Sequence, residues 1–340
     1  MDKLNPHPVI SEPFGEGNGL AHCATLGVVV VSTFDGTLHV VKTPVVGTES
    51  TMERLYTLGG PSSEPPMKFN FYEGNESGRV AFTGPPHRRR LLVTENATSL
   101  VHVIDVVGKV HRGYLARPGI IRNPIGVAAT NSLVAISAWG SHCTGPQVVH
   151  LLEGDGNKWT QLRIIGNHDG PEYLRAPVGL RFTRDNTELV IAEWGKDRVS
   201  AFHVGDGSFA RYLIPEVKDP EDLEEYDGGW IVASWCSNNI HFFGGSRGDI
   251  LAAGGKLKWC YRRPVALASV PGVGIMIRNG RDNGNVDVFA TYDAIAMAGM
   301  SANRVEWMVA VARCALARGR VAGGSARKSR KMARRAGAVS

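Results

Sequence analysis

One pattern recurs along this chain. A short apolar strand is followed by a turn, a second apolar strand ending in small, polar or aromatic residues, a loop, and a third, alternating strand. The clearest copy opens at Pro177-Val-Gly-Leu-Arg-Phe182, continues through Glu188-Leu-Val-Ile-Ala-Glu-Trp194, and resumes at Arg198-Val-Ser-Ala-Phe-His-Val204. A Gly205-Asp-Gly207 turn then leads to a fourth strand near Ala210 to Ile214. Period-two alternation between Asp- and Gly-rich turns describes a four-stranded meander. Similar copies start near residues 19, 79, 124, 220 and 264, so successive starts are 60, 45, 53, 43 and 44 residues apart. Gly numbers 41 in 340 residues, enough to supply the many tight turns this requires.

A period of about 40–50 residues with four strands per unit is the spacing of a β-propeller blade. Six copies predict an all-β, six-bladed propeller over residues 8–292. The long first interval carries an insertion, Pro61 to Ser77, which reads as a surface loop. The sixth unit shows only three strands before the pattern ends after Tyr292. Pro8-Val-Ile-Ser-Glu-Pro13 is expected to supply the missing outer strand and so close the ring.

The copy from Pro177 to Val204 resembles the NHL-repeat family of six-bladed propellers. It has the Pro-x-Gly opening, a second-strand end like the family's Val-Ala-Asp, and an Arg-Val third strand. The likeness extends over about residues 13–292. Where the family usually carries Asp, this chain has Glu95, Ala138, Glu193 and Ser234. The pattern is a structural one, so the resemblance implies fold first; it also implies a protein- or RNA-binding scaffold.

In a propeller, second-strand ends and first-strand starts meet at one mouth of the central channel. Trp139, Trp194 and Trp235 take equivalent places there in three successive units. Glu95 and Asn96 stand in that region of the second unit, Glu193 in the fourth, and Arg278 and Asn279 in the sixth. These eight residues are the candidate ligand-binding set for a protein or small ligand. The tryptophans have two readings, an aromatic rim or packing between blades. First-strand starts add Asn18, Arg79, Asn123, Arg175, Asp219, Asp222 and Arg263, a mouth of mixed sign. That argues against a phosphate-tracking surface, which needs clustered Lys and Arg. His39, His102, His203 and His241 recur in or near third strands and read as blade-face residues.

The formal charge of +6 is unevenly spread. Residues 304–340 hold ten basic residues and one acid, for +9, which leaves −3 on the rest. Residues 293–318, rich in Ala, Met and Val, read as an amphipathic helix, and 319–340 as a disordered basic tail. Arg327, Lys328, Arg330, Lys331, Arg334 and Arg335 form its candidate polyanion-binding set, for an anionic membrane surface or a nucleic acid. No stretch is apolar for long enough to suggest a transmembrane segment. The five cysteines are scattered without a C-x-x-C pair, and the start lacks a secretory apolar run. Both point to an intracellular protein, cytoplasmic or nuclear.

No hydrolase, phosphate-loop or zinc motif appears, so the favoured reading is a non-catalytic scaffold without a cofactor. The alternative is a calcium-dependent lactonase or esterase-type hydrolase of the six-bladed class. That resemblance implies oxygen ligands near Glu16 and Asp222, the latter in Pro220-Glu-Asp222-Leu. The Asn-Gly-Leu element of such sites is Val178-Gly-Leu here.

Overall fold

The computed structural model describes residues 10–46, 51–69, 78–116, 119–140, 147–155, 158–166, 173–226, 228–244, 263–280 and 284–290. The expected C-terminal helix and basic tail lie outside the described residues. The described strands form six antiparallel sheets arranged as the blades of a propeller.

The chain opens with β1 (Ile10–Pro13). The first blade follows as β2 (Gly19–Cys23), β3 (Val28–Ser32), β4 (Thr37–Lys42) and β5 (Arg54–Gly59). The second is β6 (Val80–Thr83), β7 (Arg90–Glu95), β8 (Leu100–Asp105) and β9 (Val110–Tyr114). The third is β10 (Pro124–Ala129), β11 (Leu133–Ala138), β12 (Val148–Gly154) and β13 (Trp159–Ile165). The fourth is β14 (Pro177–Phe182), β15 (Glu188–Glu193), β16 (Arg198–His203) and β17 (Phe209–Ile214). The described part of the fifth is β18 (Pro220–Tyr226), β19 (Gly229–Ser234) and β20 (Asn239–Gly244). The sixth is β21 (Pro264–Val270), β22 (Gly274–Asn279) and β23 (Asn285–Ala290), completed by β1. That last pairing is antiparallel, from Ile10 opposite Val288 to Pro13 opposite Asn285. The start of the chain therefore closes the ring, as the missing outer strand required.

The apolar second strands show why the blades pack. In β15, Leu189 and Ile191 enter the core shared with the third blade, while Val190 and Ala192 enter the core shared with the fifth. In β3, Val29 and Val31 face the sixth blade, and Val28 and Val30 face the second. Each second strand is buried on both faces, so its sequence reads as a continuous apolar run. The six hydrophobic clusters lie between neighbouring blades all round the ring.

The first strands line the centre and come so close that side chains are excluded. A Cβ on Gly126 would stand 1.7 Å from the Val178 carbonyl oxygen of the next blade, and one on Gly179 would stand 2.7 Å from the Glu221 oxygen. This is the physical content of the Pro-x-Gly openings. Hydroxyls of the second strands then reach the same carbonyls. Ser32 donates to Gly78, Thr94 to Ile125, and Ser137 to Val178, at 2.5, 2.9 and 3.3 Å.

A second repeated device sits at the mouth. The residue before each first strand is left-handed in blades three to six: Asn123, Ala176, Asp219 and Arg263, with φ of 57°, 46°, 44° and 61°. Its amide is capped from the preceding blade by the residue just before that blade's third strand. Ser99 accepts from Asn123 N–H, Asp197 from Asp219 N–H and Asn238 from Arg263 N–H, at 3.1, 2.8 and 2.9 Å. Gln147 accepts from Ala176 N–H in the same way. A side-chain oxygen thus satisfies a turn amide at four consecutive junctions. At the closure between blades six and one, Arg278 joins the two blades in the opposite sense, by donating to carbonyls, as described below.

Candidate interaction site at the propeller mouth

Trp139, Trp194 and Trp235 are equivalent in the structure as well as in the sequence. Each amide donates to the left-handed residue opening its own blade: Asn123, Ala176 and Asp219. Gly280 makes the corresponding bond to Arg263, so the sixth blade carries Gly where three blades carry Trp. All three rings are partly buried. The Trp139 indole N–H donates to Pro177 O of the fourth blade at 2.9 Å. Trp235 packs near Gly280 of the sixth blade and lies 5.1 Å below the Arg263 guanidinium. Trp194 Nε1 is buried without a hydrogen-bond partner. Trp139 and Trp235 thus reach the next blade, and all three tryptophans remain partly exposed.

The two glutamates point inward. Glu193 is fully buried and holds Arg198 at 2.7 and 3.2 Å, with Ser200 donating to the same carboxylate. Lys196 approaches to 3.8 Å. Glu95, 2% exposed, accepts from Thr98 and from His102 Nε2, the latter at 2.9 Å. The Nδ1 of His102 meets His111 Nε2 at 3.0 Å. His111 Nδ1 accepts from Gly113 N–H, so its proton is on Nε2, pointing at His102. That fixes the direction of the chain: His111 donates to His102, and His102 donates to Glu95. Burial lowers the His111 pKa, with the neighbouring His102 adding to it.

The positions two residues into the third strands explain the recurrent histidines. His39, His102, His150, Ser200, His241 and Asp287 share that place, each beside the polar end of its blade. His203, at the end of β16, does not, although the sequence grouped it with His39, His102 and His241. His150 was the member missed, because its register depends on the long loop before β12. It bonds to Gln161 at 2.9 Å.

Arg278 and Asn279 are also buried, at 0% and 8% exposure. Arg278 donates to the carbonyls of Gly17, Gly15 and Ser32 at 2.9, 2.9 and 2.8 Å. It clasps the sixth blade to the first, and burial pulls its pKa down to about 9. Asn279 donates to Asp287 at 3.0 Å. Asn96 is partly buried in the turn between β7 and β8. The structure therefore brings Trp139, Trp194 and Trp235 to the mouth and draws Glu95, Glu193, Arg278 and Asn279 beneath it. The tail set from Arg327 to Arg335 lies outside the described residues.

Below the mouth the channel is blocked. Arg79, from the second blade, crosses to Glu221 of the fifth at 2.8 Å, and its other terminal nitrogen donates to Val265 O at 2.8 Å. These side chains are 6% and 1% exposed. A second charged group follows toward the opposite face. Arg181 bonds Glu224 at 2.9 Å, lies 3.8 Å from Asp222, and donates to Leu223 O at 3.1 Å. Burial raises Glu224 to about 7, against the opposing pull of Arg181 and with the charges of Asp222 and Glu225 adding.

Calcium does not fit the residues that the hydrolase reading calls on. Asp222 already accepts from Leu267 N–H at 2.8 Å and faces Arg181, while Glu16 is exposed before β2. Among the described residues no group of three or more His, Cys, Asp and Glu is placed to hold a metal. No described helix is long and apolar enough to cross a membrane.

No family model matches this sequence, and no curated protein does. Among solved structures, a chain of a nidogen/laminin complex is similar at 15% identity and a TM-score of 0.49. The match covers 70% of this chain and 77% of that one.

Proposed function

We propose that this chain is a non-catalytic interaction scaffold that engages a protein or small ligand at the propeller mouth. The observation that carries this reading is the column of Trp139, Trp194 and Trp235, three partly exposed rings at one place in consecutive blades. Large rigid aromatics are the usual anchors of binding surfaces. The buried chemistry supports it from the other side. Glu95 is hydrogen-bonded by Thr98 and His102, Glu193 is paired with Arg198, and the channel floor is an internal ion pair, so neither offers a reactive group to solvent.

Residues 304–340, with their surplus of nine positive charges, form a separate polyanion-binding arm in this reading. The two parts are distinguished in one experiment. Immobilised full-length protein is compared with W139A/W194A/W235A and with a variant carrying Gln at Arg327, Lys328, Arg330, Lys331, Arg334 and Arg335. The rim variant loses captured partners with its circular dichroism spectrum unchanged, and the tail variant loses only binding to anionic vesicles or RNA. Partner capture that survives the rim variant sinks the mouth as the site.

A further inference from the structure

The rim is not electrically uniform. Around Trp194 the side chains of Arg175, Lys196, Arg198 and Lys218 meet three carboxylates, Glu193, Asp197 and Asp219, a local surplus of one positive charge. Glu193 is committed beneath the surface, holding Arg198 through two bonds. Asp197 is committed sideways, with one oxygen on Asp219 N–H and the other 3.7 Å from Lys218.

Lys196 is held in place from below. Its ammonium donates to Tyr173 O at 2.5 Å and stands 3.5 Å from the centre of the Tyr173 ring. Burial, with the charges of Arg198 and Arg175 adding to it against the pull of Glu193, lowers its pKa. Crowding of this kind is relieved when another anion arrives. Beside it, Trp194 Nε1 is a buried donor without an acceptor, where its equivalent Trp139 has Pro177 O. Arg175, exposed on the linker into β14, completes the group.

We propose that this sector recognises an acidic side chain, aspartate or glutamate, of a peptide segment in a protein partner, held against Arg175 and Lys196 beside Trp194. This rests on the mouth being the binding surface and names what that surface selects. A carboxylate on a peptide fits better than a nucleic-acid backbone. The cations around Trp194 cluster on the fourth blade and its edge, while Glu16 and Asp35 are exposed on the first blade. A phosphate chain needs cations along its path.

The probe is a synthetic array of decapeptides, each printed with Asp or Glu and again with Asn or Gln in their place. The full-length protein should prefer the acidic form of its bound members. R175Q and K196Q should each weaken that preference on the order of fivefold, as expected for a partly exposed charge pair. R175K should keep it, which separates loss of charge from loss of fold. Binding that disappears in W139A/W194A/W235A but never distinguishes acidic from amide forms overturns this inference and leaves the mouth as the site. Acid preference that persists in R175Q/K196Q belongs to the basic tail and also overturns it. So does tighter binding of single-stranded RNA decamers that R175Q/K196Q abolishes. Binding indifferent to the tryptophan variant removes the mouth itself, and this inference with it.

Discussion

The ion pair across the channel makes a quantitative demand. Arg79 and Glu221 lie on the second and fifth blades, 2.8 Å apart and almost out of contact with solvent. At an effective dielectric constant near 20, their attraction is about 6 kcal/mol. Much of that offsets the cost of drying two ions, so the pair as a whole adds little net stability. Removing one partner is different, because the other charge stays buried. Arg79→Met and Glu221→Gln should each cost about 3–5 kcal/mol. The double variant Arg79→Met/Glu221→Met should be more stable than either. Equilibrium unfolding in urea, followed by tryptophan fluorescence and circular dichroism, measures this cycle, with a constant m-value as the check on each variant. The pH dependence adds a second test. In Arg79→Met the Glu221 carboxylate stays buried without the Arg79 charge, so protonation favours the folded state, and the deficit should shrink from pH 8 toward pH 5. Two single-variant losses that simply add, within about 0.5 kcal/mol, would refute the argument that these residues satisfy each other across the ring.

Two further outcomes follow from the same interior. Gly126→Ala puts a methyl group 1.7 Å from the Val178 carbonyl oxygen, and the strands must separate; a loss of roughly 3 kcal/mol or more in urea unfolding is expected, beyond ordinary overpacking. Glu224, raised to about 7, binds its proton more tightly in the folded state, so its contribution to stability is complete below about 4.5 and lost as the pH rises through about 7. Glu224→Gln should therefore be more stable than the parent at pH 8 by up to ~3 kcal/mol and equal to it near pH 4.5; a gain that does not change with pH would contradict the assignment.

The inner strands were legible because burial on both faces leaves an unbroken apolar run, as in Leu189 to Ala192. Outer strands are fainter for a physical reason. In β9 alternate residues are exposed and the pairing with β8 slips in register, so little hydrophobic pattern survives. Glu95 and Glu193 were found as special positions, yet nothing local says that they turn inward. Their partners His102, Arg198 and Ser200 lie across a turn whose register must be known first. Arg79 and Glu221 are separated by 142 positions and meet only because the ring places their blades opposite one another. Ser99, Gln147, Asp197 and Asn238 are unlike in type, and what they share is an oxygen delivered to the next blade.

Those four oxygens bear on how the mouth can change. Trp194 and Trp235 each sit in a loop fixed at its start by a carbonyl of its own blade and at its end by an amide of the following one. The loop geometry is therefore owned jointly by two blades, and a single blade transplanted into another ring would not carry its part of the surface with it. Selection can exchange the residues at the tips of a preset frame while the frame stays still, and a partner meeting such a face immobilises little that was mobile before.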